Sequence, residues 1–123
     1  MNIKLYKPKT IDEAEDLMSN EGSRIIAGGT DLIIRLRNGA EKPKLLVDIS
    51  SLPELKQIRI ENNRIKLGAA VTFTDIIENP FIETHLPCLS DMAKGIGAVQ
   101  IQNRATIGGN ICNAAPAADS IPL

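Results

Sequence analysis

The sequence predicts an α+β protein with a small N-terminal βαβ lobe and the first part of a second α+β lobe. Two observations carry this prediction. Up to residue 55, short apolar runs of strand type alternate with helix-type segments, which is typical of parallel βαβ units. After residue 56, a hairpin pattern is followed by helix-type repeats. We therefore place the domains at residues 1–55 and 56–123, with the break near Leu52-Pro53.

The first strand and helix have clear local signals. Residues 4–6 can form a short strand, and Thr10 then opens a helix through a T-x-x-E capping box with Glu13. Gly22 suits the left-handed position after the end of this helix. The apolar face of the helix follows i, i+3, i+4 spacing and consists of Ala14, Leu17 and Met18.

The rest of the N-terminal lobe reads as strand, short helix and strand. Residues 24–27 form an apolar run, and Leu32, Ile33 and Leu36 then repeat at helical spacing until Asn38-Gly39. Residues 45–49 are a second buried run of strand type. A short connection of this kind predicts a parallel, right-handed βαβ unit.

The second lobe begins with a hairpin. Residues 58–60 and 65–67 alternate apolar and polar side chains around a turn at Asn62-Asn63. Thr72 or Thr74 can cap a helix that Asn79-Pro80 closes. A further helix begins near Pro87 with Leu89, Met92 and Ala93 facing inward, and ends at Gly95. From residue 96 onward, Gly, Asn, Ala and Pro predict strand fragments and binding loops.

Composition excludes several function classes. The 123 residues include 14 basic and 15 acidic side chains. Binding to nucleic acid or to an anionic membrane requires a basic surface, so this balance of charge argues against both as the main partner. No apolar run is long enough to span a bilayer and no signal peptide opens the chain, so we expect a cytoplasmic protein.

Cys88 and Cys112 cannot by themselves ligate zinc or an iron–sulfur cluster, so we expect two reduced, partly buried thiols and no metal site. His85, the single histidine, is expected to be a surface or packing residue.

The first candidate site is the loop Gly28-Gly29-Thr30-Asp31 between a strand and a helix. Glycine lets backbone N–H groups approach a ligand closely, and a helix N-terminus adds positive partial charge. Thr30 can donate to phosphate, whereas the carboxylate of Asp31 would repel it and is better suited to cap the helix or bind a hydroxyl. A plain βα turn with a Thr/Asp cap is an equal alternative. No Gly-Lys-Ser/Thr follows, which disfavours nucleotide triphosphate hydrolysis.

A second glycine pair lies about eighty residues later, in the segment Thr106-Ile107-Gly108-Gly109-Asn110. A β-bulge or strand corner is the alternative for this segment. Both glycine pairs have a threonine close by, so they could face one diphosphate from two sides. We assign no catalytic residue.

At these residues the chain resembles the FAD-binding (medium) subunit of molybdenum hydroxylases of the xanthine dehydrogenase, aldehyde oxidoreductase and carbon monoxide dehydrogenase type. The stretches that carry the resemblance are residues 25–32, IIAGGTDL, and residues 102–119, QNRATIGGNICNAAPAAD. The second stretch is highly specific, and the order of elements fits along essentially the whole chain.

The resemblance implies a two-lobed flavin fold of the vanillyl-alcohol oxidase (PCMH) type with FAD between the lobes. Residues 25–32 would wrap the ADP portion and the pyrophosphate, residues 106–110 would contact the pyrophosphate from the other lobe, and Asn113 and Asp119 would bind toward the ribityl chain. Thr30 stands where covalently flavinylated relatives carry histidine, so noncovalent FAD is expected. The implied cofactor-binding residues are Ile25, Ile26, Ala27, Gly28, Gly29, Thr30, Asp31, Leu32, Ile96, Thr106, Ile107, Gly108, Gly109, Asn110, Asn113 and Asp119.

The resemblance further implies an FAD-dependent oxidoreductase subunit in an electron-transfer complex. A molybdenum-binding subunit carrying molybdopterin and a [2Fe-2S] subunit would be the partners, and electrons would pass from the clusters through FAD to NAD or another acceptor. Two alternatives stay open, a stand-alone flavin oxidase of the same fold and a non-catalytic fragment. Family members are more than twice as long, and the chain ends on the apolar Ile121-Pro122-Leu123. A chain cut short is therefore expected, which would either bind FAD weakly or need a second chain to complete the flavin lobe.

Overall fold

The computed structural model describes residues 2–113. Its N-terminal part is a three-stranded sheet with two short helices. All strand pairs are parallel, and the order is β1-β3-β2, so that the last strand in sequence lies in the middle. Leu5 pairs with Leu46 and Ile25 with Val47. The predicted parallel strands are confirmed. The elements are β1 (Lys4–Tyr6), α1 (Ile11–Met18), β2 (Ser23–Ile26), α2 (Leu32–Arg37) and β3 (Leu45–Asp48).

Helix α1 begins as the sequence predicts, but its capping box is only half formed. The Thr10 hydroxyl accepts from the N–H of Glu13 at 3.1 Å. The Glu13 carboxylate accepts instead from the N–H of Lys9 at 2.7 Å and from the Tyr6 hydroxyl at 2.8 Å. Glu13 thereby ties the first turn of α1 to the end of β1. Gly22 is not the residue after the helix end, because α1 ends at Met18 with Ser19 as its C-cap, but Gly22 does have a positive φ of 86°.

A small core lies between the sheet and α1. Val47 in the central strand is fully buried, and Ala14 and Leu52 are nearly so. Leu17 and Met18 pack against them, as the helical spacing predicts. The position of Val47 explains why β3 is the most apolar of the three strands, since it has a neighbouring strand on each side.

The second part of the described chain opens with the predicted hairpin and continues as short helices. Both turn residues, Asn62 and Asn63, have positive φ, of 49° and 60°. That geometry is a type I′ turn, which matches the right-handed twist of the strands. A 3₁₀ turn, Pro53–Lys56, precedes the hairpin. The elements are β4 (Ile58–Glu61), β5 (Arg64–Leu67), α3 (Phe73–Ile77), α4 (Pro80–His85), α5 (Pro87–Lys94), α6 (Val99–Gln102) and α7 (Ile107–Asn113).

Helix α3 has a complete capping box and is followed by a helix that the sequence analysis missed. Thr72 accepts from the N–H of Asp75 at 3.1 Å, and Asp75 accepts from the N–H of Thr72 at 3.0 Å. Asn79 does not only close α3, because its side chain caps α4 by accepting from Phe81 and Ile82. Helix α5 begins at Pro87 and ends at Gly95, as predicted.

The predicted strand fragments and loops are wrong for residues 99–102 and 107–113, which are the helices α6 and α7, although Thr106 between them forms a β-bridge with Thr72. Residues 114–123 of that prediction lie outside the described residues. The Thr106 hydroxyl accepts from the N–H of Gly109 at 3.0 Å, which is the bond of a helix N-cap. A threonine cap and tertiary contacts thus override the low helix propensity of Gly108-Gly109.

The second core lies among the hairpin, α3, α4, α5 and the start of α7. Its centre is formed by the fully buried side chains of Val71, Phe73, Ile76 and Ile82. No buried residue is shared with the first core among the residues that the structure describes. On that basis we propose the lobes 1–55 and 56–123 as domains. In residues 2–113 there is no helix with the length and apolar character that crossing a bilayer requires.

Candidate functional site

The two glycine segments lie on one cavity of about 700 Å³ between the lobes. The first loop follows β2 and leads into α2, and the second segment is the start of α7. Helix α6 and Ile96 close the cavity with apolar side chains. The structure therefore brings together two segments that are eighty residues apart. The predicted residues that line the cavity are Ile25, Ile26, Ala27, Gly28, Gly29, Thr30, Asp31, Leu32, Ile96, Thr106, Gly108, Gly109, Asn110 and Asn113.

One predicted site residue faces elsewhere. Ile107 is 7% exposed and packs in the second core with Phe73 and Ile76. Its backbone N–H is also occupied, since it donates to the carbonyl of Val71 at 2.9 Å. The position of Ile107 therefore does not support the prediction that it contacts a cofactor, because its side chain lies on the face of α7 that packs into the core. Asp119 lies outside the described residues.

Gly28 packs tightly against the backbone of the second lobe. A Cβ atom on Gly28 would be 2.1 Å from the carbonyl oxygen of Arg104 and 3.0 Å from the Cα of Ala105. The guanidinium of Arg104 donates a hydrogen bond to the carbonyl of Gly28 at 3.4 Å. Glycine is therefore needed here because the backbone of the other lobe occupies the space of a side chain.

The first loop offers free backbone donors to the cavity. Within residues 2–113, the N–H groups of Gly28, Gly29 and Thr30 make no hydrogen bond to the protein. Gly29 has a φ of 74°, which turns the chain between β2 and α2. Such consecutive unpaired N–H groups in a half-buried loop form a concave anion site. The hydroxyl of Thr30 adds a further donor on the same wall.

The second segment is different, because its backbone donors are used within the protein. The N–H of Gly108 donates to the carbonyl of Ala69 at 3.0 Å, and that of Gly109 to the hydroxyl of Thr106. A Cβ on Gly108 would lie 2.6 Å from the same Ala69 oxygen. Gly108 therefore allows close packing of α7 against the chain near Ala69. Gly108 and Gly109 therefore have no free backbone donor for a diphosphate, whereas backbone donation from the first loop stays a prediction.

Asp31 does not cap α2, although it occupies the N-cap position. Its carboxylate instead accepts from the side-chain amide of Asn113 at 3.3 Å. The local reason is its backbone conformation, with φ −98° and ψ −43°, which is helical where a capping residue needs extended angles. The capping role predicted for Asp31 is thus wrong, and the carboxylate points toward the second lobe.

Three arginines at the site were not predicted. Arg24 and Arg35 line the cavity and share one carboxylate, that of Glu41, at 3.0 Å and 3.2 Å. Arg104 bonds to the first loop. Sequence position offered a signal for each: Arg24 directly precedes the motif of residues 25–32, Arg35 follows Asp31 by one helical turn, and Arg104 lies inside the second motif.

The cysteines and the histidine lie outside any metal site in the described chain. Cys88 and Cys112 are both exposed, so the expectation of partial burial is wrong. The exposure of both thiols follows from their positions in the helices. Cys88 is in the first turn of α5, and Cys112 is on the cavity side of α7. His85 is a surface packing residue as expected, with its ring stacked on Phe81 at 4.1 Å.

Comparison with known proteins identifies the family. Residues 1–123 match the family model described as the FAD binding domain in molybdopterin dehydrogenase. The chain belongs to this family of FAD-binding domains. The resemblance predicted from residues 25–32 and 102–119 is confirmed, and so is FAD as the cofactor of the family.

Curated relatives and solved structures are similar to this FAD-binding domain in sequence and in fold. It is 42% identical over 98% of its length to the nicotinate dehydrogenase FAD-subunit of Eubacterium barkeri. It is 41% identical over 94% of its length to the putative xanthine dehydrogenase FAD-binding subunit of Escherichia coli strain K12. Reconstituted CO dehydrogenase from Oligotropha carboxidovorans superposes with a TM-score of 0.92 at 31% identity over 98% of the chain. The α+β class is thereby confirmed, and these relatives are named as FAD subunits of dehydrogenases.

The FAD-binding domain spans about two fifths of these proteins, 42% and 40% of the two relatives and 43% of the CO dehydrogenase chain. Its cavity fits part of a dinucleotide. The unpaired N–H groups of Gly28, Gly29 and Thr30 suit a diphosphate, and the apolar side chains of Ile49 and Ile101 provide a surface for a ring.

Proposed function

We propose that this FAD-binding domain holds the diphosphate and ADP portion of noncovalent FAD in the cavity between its lobes. The observation that carries the proposal is that Gly28, Gly29 and Thr30, whose N–H groups make no hydrogen bond within residues 2–113, line a cavity also lined by the start of α7. These donors are fixed before a ligand arrives, because Gly28 is held against Arg104 and Gly29 leads directly into α2. Preorganised donors of this kind lower the entropic cost of binding.

The surrounding residues then have distinct roles. Thr30 donates a hydroxyl hydrogen bond to the diphosphate, and Arg24 and Arg35 offset its charge at the cavity edge, where Glu41 orients both guanidinium groups. Ile25, Ile96 and Ile101 exclude water along the apolar wall. Asn110 lines the cavity beside Gly109 and is a polar contact for the cofactor.

At the level of the whole protein, we propose a flavin component of a molybdenum hydroxylase complex. The relatives named as FAD subunits of nicotinate and xanthine dehydrogenases support this assignment. A molybdenum-binding subunit and a [2Fe-2S] subunit would then be the partners, and NAD or another acceptor would take the electrons. Bound FAD supplies the exchange between one-electron and two-electron carriers, and the chain supplies binding, orientation and electrostatics. We keep one alternative, a stand-alone flavin oxidase, which would reduce its flavin with substrate in the absence of partner subunits.

The test of the binding proposal is a titration of the purified protein with FAD, ADP and riboflavin, followed by flavin fluorescence. FAD binding that ADP competes away, with little affinity for riboflavin, is expected because the free donors face a diphosphate. Thr30→Val should weaken FAD binding about tenfold, since one hydrogen bond to a charged group is lost. Gly95→Ala is the control, because Gly95 follows the last turn of α5 and does not itself line the cavity.

Three results would contradict the proposal. One is riboflavin binding as tight as FAD binding, which would place the recognition on the ring. Another is a Thr30→Val variant with unchanged affinity for both FAD and ADP. Flavin that stays with the protein after denaturation would show a covalent link and refute noncovalent binding.

A further inference from the structure

Asn113, at the end of α7, is inserted between two side chains of the first lobe. Its amide NH₂ donates to the carboxylate of Asp31 at 3.3 Å, and its carbonyl oxygen accepts from the guanidinium of Arg35. Asp31 and Arg35 are one helical turn apart, on the same face of α2. We refer to Asp31, Arg35 and Asn113 as the clasp.

The chemistry of the clasp requires an amide at its centre. A carboxamide carries one acceptor and one donor group, so it can satisfy a cation on one side and an anion on the other. An aspartate at the same position would keep the pairing with Arg35 but would place two carboxylates against each other. A leucine of similar size would satisfy neither partner.

The partners of Asn113 are themselves held in place. The guanidinium of Arg35 also binds the carboxylate of Glu41 at 3.2 Å, and Glu41 binds Arg24 at 3.0 Å. A single network therefore runs from β2, through α2, to the last turn of α7. All of its members except Glu41 line the cavity.

We propose that Asn113 is a positioning residue that joins the two lobes over the cavity, and that it does not bind the ribityl chain as the family resemblance implied. The clasp also holds the carboxylate of Asp31 toward α7 and away from the N–H groups of Gly28 and Gly29, so that the negative charge does not repel a diphosphate. This inference rests on the proposed function for the site, because the effect is on the binding of FAD.

The experiment is a charge exchange across the clasp in the purified full protein. Asn113→Asp should weaken FAD binding about tenfold, because Asp31 and the new carboxylate repel each other. Asp31→Asn should have a smaller effect, about threefold or less, since an asparagine still pairs with Asn113. In the double variant D31N/N113D, the amide at position 31 again donates to a carboxylate that also binds Arg35. Affinity should return to within about threefold of the wild type.

Asn63→Asp is the matched control, because Asn63 lies in the exposed turn of the hairpin, outside the cavity. It should leave FAD affinity unchanged. If the double variant remains as weak as Asn113→Asp, then Asn113 contacts the cofactor directly and the proposal is overturned. An Asn113→Asp variant with wild-type affinity would overturn it as well.

A second measurement separates this inference from the proposed function. The melting temperatures of the four cofactor-free proteins should show the same rescue, with Asn113→Asp lowered and the double variant restored. If the wild type binds no FAD, the proposed function fails, and these temperatures still decide the pairing. Independent, additive shifts would show that Asp31 and Asn113 do not interact, and the clasp would then be rejected.

Discussion

Replacing Gly28 with alanine tests the contact between the two lobes most directly. The added Cβ atom would lie 2.1 Å from the carbonyl oxygen of Arg104, whereas an ordinary contact between carbon and oxygen is about 3.3 Å. The obstacle is backbone, so no side-chain rotation can relieve it. The loop and the Arg104 segment must separate by about 1 Å.

The magnitude follows from that displacement. Overpacking a close contact costs about 1–3 kcal/mol, and we expect the upper half of this range because backbone must move. The same shift moves the free N–H groups of Gly28 and Gly29 away from the position where they face a diphosphate. Losing one hydrogen bond to a charged group costs about 1.5–3 kcal/mol, so FAD affinity should fall roughly 10- to 100-fold.

Two control variants separate stability from binding. Gly68→Ala creates the same conflict, with a Cβ 2.1 Å from the carbonyl of Leu55, but Gly68 does not line the cavity. It should lose comparable stability in urea unfolding while its folded fraction keeps wild-type FAD affinity. Gly95→Ala, whose Cβ would meet nothing closer than 3.4 Å, should change neither quantity. A Gly28→Ala protein as stable as Gly95→Ala, with unchanged FAD binding, would refute the reasoning.

Three further variants probe the described elements. Thr72→Ala removes the α3 capping box and should lower the free energy of unfolding by about 1 kcal/mol, measured by urea denaturation. Asn63→Gly should raise it by a few tenths of a kcal/mol, roughly, since glycine adopts the positive φ of a type I′ turn without strain; a lowered midpoint would contradict that turn geometry. Hydrogen bonds from the N–H of Lys9 and from Tyr6 hold the pKa of Glu13 below its ordinary value, so its contribution to stability is present above the unfolded pKa and is lost as pH falls through the folded pKa. Tyr6→Phe should raise the pKa of Glu13 only part of the way, because the Lys9 bond is the larger cause, and carboxyl NMR titration measures it.

Local patterns were sufficient to predict much of the fold. The hairpin turn at Asn62-Asn63 was recognisable because few residues other than glycine and asparagine adopt positive φ. The start of α5 at Pro87 follows from the fixed φ of proline. Helix α4 was missed because Asn79-Pro80 can both end one helix and begin the next, and the sequence alone does not distinguish these roles.

The candidate site was predictable in its members but not in its geometry. The glycine pairs were found from the motifs of residues 25–32 and 102–119, and the structure places both pairs on one cavity. The functions of Gly28 and Gly108 in close packing were not predictable, because each depends on a backbone segment distant in sequence, at Arg104 and at Ala69. The orientation of the Asp31 side chain toward the second lobe depends likewise on Asn113, which is 82 residues away.

The central position of β3 sets an order for folding. Strands β1 and β2 do not pair with each other, and within the described chain β3 is the only partner strand of each. During synthesis, β1 and β2 therefore stay unpaired until residues 45–48 have left the ribosome. The β4–β5 hairpin depends on no distant segment, and it can form as soon as its own ten residues are free. Once folded, the amide protons of β1 and β2 should exchange with solvent together, since opening β3 releases both strands at the same time.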